Sequence, residues 1–424
     1  MIIPLFKLVK VKLKAILFLG LLFGATLIQA QERLTLNSFL SSTIDSNLVD
    51  QDSTTITLLS SKNYNIPLIK STQFRLETRR FIETFQEFSV RIKPNNFREI
   101  SSQKNIYANK IQEVRLENKI KINESLKNRY LLALDYIFNK KTAILYAIKQ
   151  QQLKDKLDLL GHQVFHEDFE VKDVIESEED LLAINLKIIQ LRKIKKDLED
   201  YLKKVLVLNT VSIETSNLIS PEQIINFPFS DSISNEYLFV TLQKLKINTL
   251  ENEMSLSIAK SNQLLDFVQA KYIGKSENLF EDNLSIGLAI NLPFFAAARQ
   301  DKSEFYFEKT IKQNSLNDAL KKHQLKVSFA KNEFETSKVN YTVLQKQYEN
   351  SSVTSIYKAY QKMEGVSPLL LLNLKILQNK KDIEILKFEH ELYKAYIEFL
   401  SLNEQLFQEP LLNYLSPSLE LLEN

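Results

Sequence analysis

Two stretches of this chain contain neither glycine nor proline, one from Phe97 to Leu160 and the other from Ala296 to Glu364. Glycine and proline are the residues that most often end a helix, and only 6 and 9 of them occur in 424 residues. Each stretch is therefore expected to be one long helix. At 1.5 Å per residue such a helix is on the order of 100 Å long, several times the width of an ordinary domain. In the first, Leu134, Phe138, Leu145 and Ile148 form a stripe beside Ala133, Ile137, Ile144 and Ala147. Neighbouring helices can cover such stripes, so no compact globular core is required.

The pattern comes in two copies. Asn185-Leu186-Lys187-Ile188-Ile189-Gln190 returns as Asn373-Leu374-Lys375-Ile376-Leu377-Gln378, and Leu182 and Leu370 extend the register upstream. Each copy follows a loop-like stretch (Gly161 to Glu179; Met363 to Pro368) and opens a new helical run. In those runs Ile184, Ile188, Leu191, Lys195, Leu198, Leu202 and Val205, and again Ile385, Phe388, Leu392, Ala395, Phe399, Leu402 and Leu406, step by four and three. That is the heptad period of helices packed side by side. Self-similarity over so long a period makes two tandem units, of strand, long helix, tip and long helix, the expected architecture.

Strand patterning precedes each long helix. Phe74, Leu76 and Thr78 alternate with Arg75, Glu77 and Arg79, and Phe88, Val90 and Ile92 alternate with Ser89, Arg91 and Lys93. The second hairpin is cleaner, with Phe267 to Ile273 and Asn283 to Leu292 flanking a polar turn from Gly274 to Asp282. On its second strand Leu284, Ile286, Leu288, Ile290 and Leu292 fall on one side. Alternation of apolar and polar residues suits an antiparallel sheet with one face in an apolar phase, including a membrane barrel. The expected divisions are a first unit over 31–208 (hairpin about 68–94, helical hairpin about 97–208) and a linker over 209–233 containing Pro221 and Pro228. A second unit follows over 234–408 (hairpin about 267–293, helical hairpin about 296–408), then a tail, 409–424, that carries no readable pattern. Leu34 to about Asn63 reads as two short helices, the first capped by Thr35.

The first thirty residues read as a secretory signal peptide. Lys7, Lys10, Lys12 and Lys14 precede an uncharged run from Ala15 to Leu27, with a small residue, Ala30, before Gln31. Cleavage would remove four lysines and leave 51 Lys+Arg against 52 Asp+Glu, so nucleic acid is not an expected partner. The chain has no cysteine, which removes disulfides, thiolate metal sites and a lipid-modified N-terminal cysteine from consideration. Export without disulfides fits a Gram-negative periplasm or outer membrane. After the signal no apolar run is long enough for a spanning helix, so a membrane crossing would have to use strands.

The strand Leu284–Pro293, followed by Phe294-Phe295, a small-residue stretch and Arg299, resembles the outer-membrane efflux protein (TolC-like) family, in which an apolar strand ends in Pro-Leu-Phe before a long helix. Gly365-Val366-Ser367 with the leucines after it resembles that family's second helical tip, and Asp180-Leu181-Leu182 part of the first. The resemblance covers nearly the whole mature chain. It implies a mainly α fold with a small β part: long antiparallel coiled-coil helices in two tandem repeats, each with a β-hairpin contributing to a trimeric outer-membrane β-barrel. It further implies a homotrimer whose twelve-stranded barrel takes four strands from each protomer. A periplasmic helical tunnel would be closed at the tips, which dock a periplasmic adaptor (membrane fusion) protein of an inner-membrane pump. The implied function is passive conduction of substrates in tripartite efflux or type I secretion, with outer-membrane lipid around the barrel, no cofactor and no catalysis. The chain departs from the family pattern in its heavily charged first hairpin and in Leu369–Leu372, where family members often carry an acid. A periplasmic coiled-coil scaffold or adaptor-like protein without a barrel is the alternative.

Three groups of residues are candidate sites. Glu167, Asp168, Glu170, Asp173, Glu176, Glu178, Glu179 and Asp180 surround a single base, Lys172. They form either a solvated acidic loop or, gathered by threefold symmetry, a carboxylate ring favouring cations; the gate candidates are Asp180 first, then Glu176, Glu178 and Glu179. Gly365, Val366 and Ser367 form an interhelical turn and are the candidate adaptor-docking tip. His162 and His166 are spaced for a shared helix face but lack a third ligand, so they read as surface residues rather than a metal site. No nucleotide-binding glycine loop, Ser/His/Asp arrangement or paired-carboxylate site stands out.

Overall fold

The computed structural model describes residues 33–42, 54–58, 60–61, 66–78, 86–165, 169–206, 212–213, 218–228, 237–274, 283–291 and 296–422. The signal peptide, both hairpin turns, the Pro293-Phe294-Phe295 segment, His166, Glu167 and Asp168 lie outside them. The strands are β1 (Arg33–Leu34), β2 (Ile69–Thr78), β3 (Gln86–Pro94), β4 (Ser212–Ile213), β5 (Leu265–Ile273) and β6 (Leu284–Ile290). The helices are α1 (Leu36–Ser41), α2 (Phe97–His162), α3 (Val171–Leu206), α4 (Pro221–Ile225), α5 (Leu238–Ser261), α6 (Ala296–Glu349), α7 (Ser352–Tyr360) and α8 (Pro368–Leu402).

Helix α2 is 66 residues long without a break. Asn96 starts it by accepting the Arg98 amide on its side chain, satisfying one of the donors that a helix N-terminus leaves unpaired. Three helices run antiparallel against it. Lys246 meets Glu117 at 3.0 Å on α5, Lys127 meets Glu398 at 3.4 Å on α8, and Asn139 Nδ2 donates to the Leu191 carbonyl at 3.2 Å on α3. Helix α6 packs on both α5 and α8. The second long stretch is not one helix to Glu364, as its lack of Gly and Pro suggests, because α6 stops at Glu349. Ser351 takes the Val353 amide on its hydroxyl and starts α7 as a new helix. Asn350 and the two serines after it favour their own local hydrogen bonds over the helix ladder. The Gly161–Glu179 stretch is loop for less of its length than expected: α2 runs to His162 and α3 begins at Val171.

A dense core lies midway along the bundle, contrary to the expectation that none is required. Tyr130, Leu134, Phe138, Phe334, Leu392, Tyr393 and Tyr396 are buried there. Segments remote in sequence wrap this waist. Phe39 and Leu40 of α1 and Ile224 of α4, from the stretch read as linker, have no exposed surface. The terminal stretch contributes as well: Leu415 is buried, Tyr130 donates to the Leu412 carbonyl at 3.0 Å, and the Tyr414 amide donates back to Tyr130 at 3.1 Å. Thr35 caps α1 as its position suggests, accepting the Ser38 amide at 3.1 Å. Towards the tips burial thins out. Leu145 of the first stripe is half-buried, and Ile144 and Ile148 are exposed.

Candidate functional site

The four long strands form one antiparallel sheet in the order β2-β3-β5-β6, so the two hairpins, about 180 residues apart in sequence, join through β3 and β5. Its register sorts every side chain. Phe74 faces Val90, Val90 faces Ala270, and Ala270 faces Ile286; Leu76, Phe88, Tyr272 and Leu284 line up in the same way. With Thr72, Ile92, Val268 and Leu288 they make one continuous, nearly uncharged face across all four strands. It is bare: Phe74 is 80% exposed and Ile286 76%. Among the described residues, Arg75, Glu77, Glu87, Arg91 and Lys93 of the first hairpin fall on the opposite face. There Gln73, Arg91, Gln269 and Gly287 form one row, Arg75, Ser89, Lys271 and Ser285 the next, and Glu77 and Glu87 lie beyond. Alternation along each strand indicates an amphipathic sheet, but only the register shows that both hairpins turn the same side outward.

The polar face is ordered by specific pairs. Glu87 is buried and paired with Lys271. Arg91 donates through Nε and Nη2 to Gln269 Oε1 at 3.3 and 2.9 Å, and its guanidinium lies 3.7 Å from the centroid of the Phe267 ring. The first strand of each hairpin carries one extra residue at the end next to the helices: Lys70 in β2 and Asp266 in β5. Each forms an ion pair, Lys70 with Glu99 of α2 at 3.2 Å and Asp266 with Lys93 at 2.6 Å. Extra residues of this kind increase local twist, which a curving sheet requires. Both outer strands leave an edge without a neighbour in the sheet order.

The tips lie at the other end, since α2 starts at the sheet and its partners return antiparallel. The acidic residues from Asp173 to Asp180 sit on the first turns of α3, and Asp173, in the first of them, complements the helix dipole. Successive residues turn by about 100°, so Asp173, Glu176 and Asp180 share one side of α3 while Glu178 faces away and Glu179 lies between. Glu176 pairs with Lys172 at 3.7 Å; Glu178, Glu179 and Asp180 are exposed. Beside them the contact with α2 is narrow, with Ser177, Ile184 and Leu191 buried at seven-residue spacing and Ile175, Leu182, Leu186 and Ile189 exposed. At the second tip Gly365 adopts φ +85°, with open space where a Cβ would lie. Val366 is half-buried, Gly365 and Ser367 are exposed, and Pro368 opens α8. His162 ends α2 on the surface, and among the described residues no group of three or more His, Cys, Asp or Glu could hold a metal.

Between sheet and tips, titratable groups are drawn into the α2–α8 contact. Burial pushes Asp135 up, but pairing with His390 at 3.1 Å and Lys394 at 2.6 Å outweighs it, and its pKa falls below the ordinary value. Burial raises the pKa of Glu389 despite Lys141 at 3.7 Å, and the nearby Glu222 adds to the rise. Burial likewise raises Glu404, whose carboxylate accepts the Leu238 amide on both oxygens at 2.9 Å and so caps α5. None of these groups stood out in the sequence. Their partners lie more than 150 residues away, beyond the reach of any local pattern.

No protein-family model matches the sequence, and no curated protein matches it. Solved structures do. The Campylobacter jejuni CmeC outer membrane channel aligns over 91% of this chain and 87% of its own, at 10% identity and a TM-score of 0.62. The open state of the Neisseria gonorrhoeae MtrE outer membrane channel aligns over 87% and 88%, at 9% identity and 0.63. The outer membrane protein VceC from Vibrio cholerae aligns over 85% and 95%, at 10% identity and 0.59.

Proposed function

We propose that this chain, which has the fold of the TolC-like outer-membrane efflux channels, is itself the outer-membrane conduit of a tripartite efflux pump or type I secretion system. The observation that carries this reading is the sheet. Its bare apolar face runs unbroken across four strands of 10, 9, 9 and 7 residues, close to the ~9–11 that a tilted strand needs to cross a bilayer. Among the described residues no helix is long and apolar enough to cross a membrane. An open sheet cannot sit in lipid, because the amide and carbonyl groups on its edges would have no partners. Pairing β2 of one protomer with β6 of the next removes both edges, and three copies close a barrel of twelve strands with the charged face inward. The exposed stripes of α3 and α6, such as Leu182 and Phe329, would be covered by neighbouring protomers in the same trimer.

In this reading the two hairpin-and-helix units are tandem repeats, a view supported by the matching extra residues in β2 and β5. The helices form a periplasmic tunnel, and substrates pass through it passively, driven by an inner-membrane pump. Asp180 and Glu176 form the carboxylate ring at the tip, joined by Glu179 at its edge; Glu178 turns away from it. The Gly365-Val366-Ser367 turn docks the periplasmic adaptor. The test is membrane fractionation followed by native mass measurement of the detergent-extracted mature chain. An outer-membrane species of three times the protomer mass is expected. A soluble periplasmic monomer would overturn the channel and favour the scaffold.

A further inference from the structure

The polar face of the sheet is not evenly charged. Two adjacent rows at its middle, Gln73–Arg91–Gln269–Gly287 and Arg75–Ser89–Lys271–Ser285, contain three bases and no acid. Lys271 is neutralised by Glu87 in the next row, and Lys93 below is matched by Asp266. Among the described residues neither Arg75 nor Arg91 meets a carboxylate: Arg75 reaches Gln73, at 3.5 Å, and Arg91 reaches Gln269, at 2.9 Å. Arg91 is also held in place, stacked on Phe267 and hydrogen-bonded along one edge of its guanidinium. Two of its five N–H groups are used on Gln269, which leaves the others for a ligand. Gly287, across from Gln269, adds no side chain, and the space at its Cβ position is open, so the row is uncovered on that side.

We infer that this band is an anion-selective ring of the pore for cargo bearing carboxylate, phosphate or similar oxyanion groups. The inference rests on the trimeric barrel proposed above, in which three copies would place six guanidinium groups around one lumen. Rings of Arg or Lys select anions in pores, and a guanidinium can hold an oxyanion through two parallel hydrogen bonds. The band differs in sign from the carboxylates at the far tip, so the two ends of the tunnel would discriminate separately.

The experiment is the reversal potential of the purified trimer in planar bilayers under a potassium chloride gradient, with potassium and chloride as probes. The double variant Arg75→Gln/Arg91→Gln should lower the chloride-to-potassium permeability ratio by about threefold to tenfold, the scale expected for several screened charges near a pore axis. Arg91→Lys keeps the charge and should keep the wild-type ratio, and Asp180→Asn should raise it from the other end. A conducting trimer whose ratio is unmoved by the double variant overturns the inference and leaves the channel intact. A correctly folded trimer with no conductance overturns the channel reading and the selectivity with it. Native mass distinguishes either result from a variant that fails to assemble.

Discussion

The same two helices, α2 and α8, behave differently at the waist and at the tips. At the waist both are buried nearly all round. Tyr130, Leu134, Ile137 and Phe138 of α2 meet Leu392, Tyr393, Tyr396 and Leu400 of α8, and α1, α4 and the terminal stretch close over them. Near the tips α2 gives Ile144 and Ile148 to solvent, α3 holds on by about one buried residue per heptad, and α7 buries none. Local stability follows buried apolar contact, so opening should cost far less free energy at the tips than at the waist. The conduit proposed above would use that division, with a fixed middle and ends that open more readily.

The largest expected effect is at the waist. Phe138 is 1% exposed, stacks on His390 at 4.6 Å and tilts against Tyr393 at 5.4 Å. Phe138→Ala should cost about 3–5 kcal/mol and lower the urea midpoint of the whole protein. Ile184→Ala removes a side chain that is 5% exposed, but in a seam bordered by water. About 2 kcal/mol is expected there, the low end for such truncations, because the site can collapse. Its signature should be faster amide exchange in α3 with the global midpoint unchanged. Equal loss of global stability from both variants would break the comparison.

A smaller effect tests the second tip alone. Gly365 at φ +85° is in the left-handed region, where an L side chain costs roughly 1–2 kcal/mol even though nothing blocks the space. Gly365→Ala should speed proteolysis at Lys362 without moving the midpoint. If the turn remains as resistant as before, the tip is held by more than its own backbone.

What the sequence disclosed divides along the same line. Long helices and heptads are local patterns, so α2 from Phe97 and the α3 seam through Ile184 and Leu191 could be read directly. The start of α3 was obscured by its charge. A run of carboxylates resembles a loop until the preference of helix N-termini for acids is applied. The break at Asn350 carried a signal of its own in the Asn-Ser-Ser cluster. The helix stripes of the waist were legible, but the segments that close over it carried no signal, because Tyr130 and Leu412 are 282 residues apart and no periodicity reports such a contact. The cationic band was hidden for a related reason: Arg75 and Arg91 were each visible as polar positions, but their common face with Lys271 depends on register.

The smallest effect lies between the two regions, where Asp135 and Glu389 should give the bundle opposing responses to pH. The folded pKa of Asp135 is depressed, so its stabilisation is present above its ordinary value of 3.8 and is lost as pH falls through the folded value. The folded pKa of Glu389 is raised, chiefly by burial, so its contribution is complete below its ordinary 4.5 and is lost as pH rises through the folded value. Asp135→Asn should therefore destabilise at neutral pH and become harmless in acid, because it leaves the Lys394 ammonium without its carboxylate only where the wild-type Asp135 would be ionised. Glu389→Gln should do the reverse, matching wild type in acid and gaining on it at neutral pH, since the amide is never charged and can still accept from Lys141. The check is urea midpoints for the three proteins at pH 2 and pH 7. Both positions join α2 to α8 beside the Tyr393 core, Asp135 through His390 and Lys394 and Glu389 through Lys141. If neither variant changes the pH slope, these two ion pairs add nothing to the hold of α8 on α2.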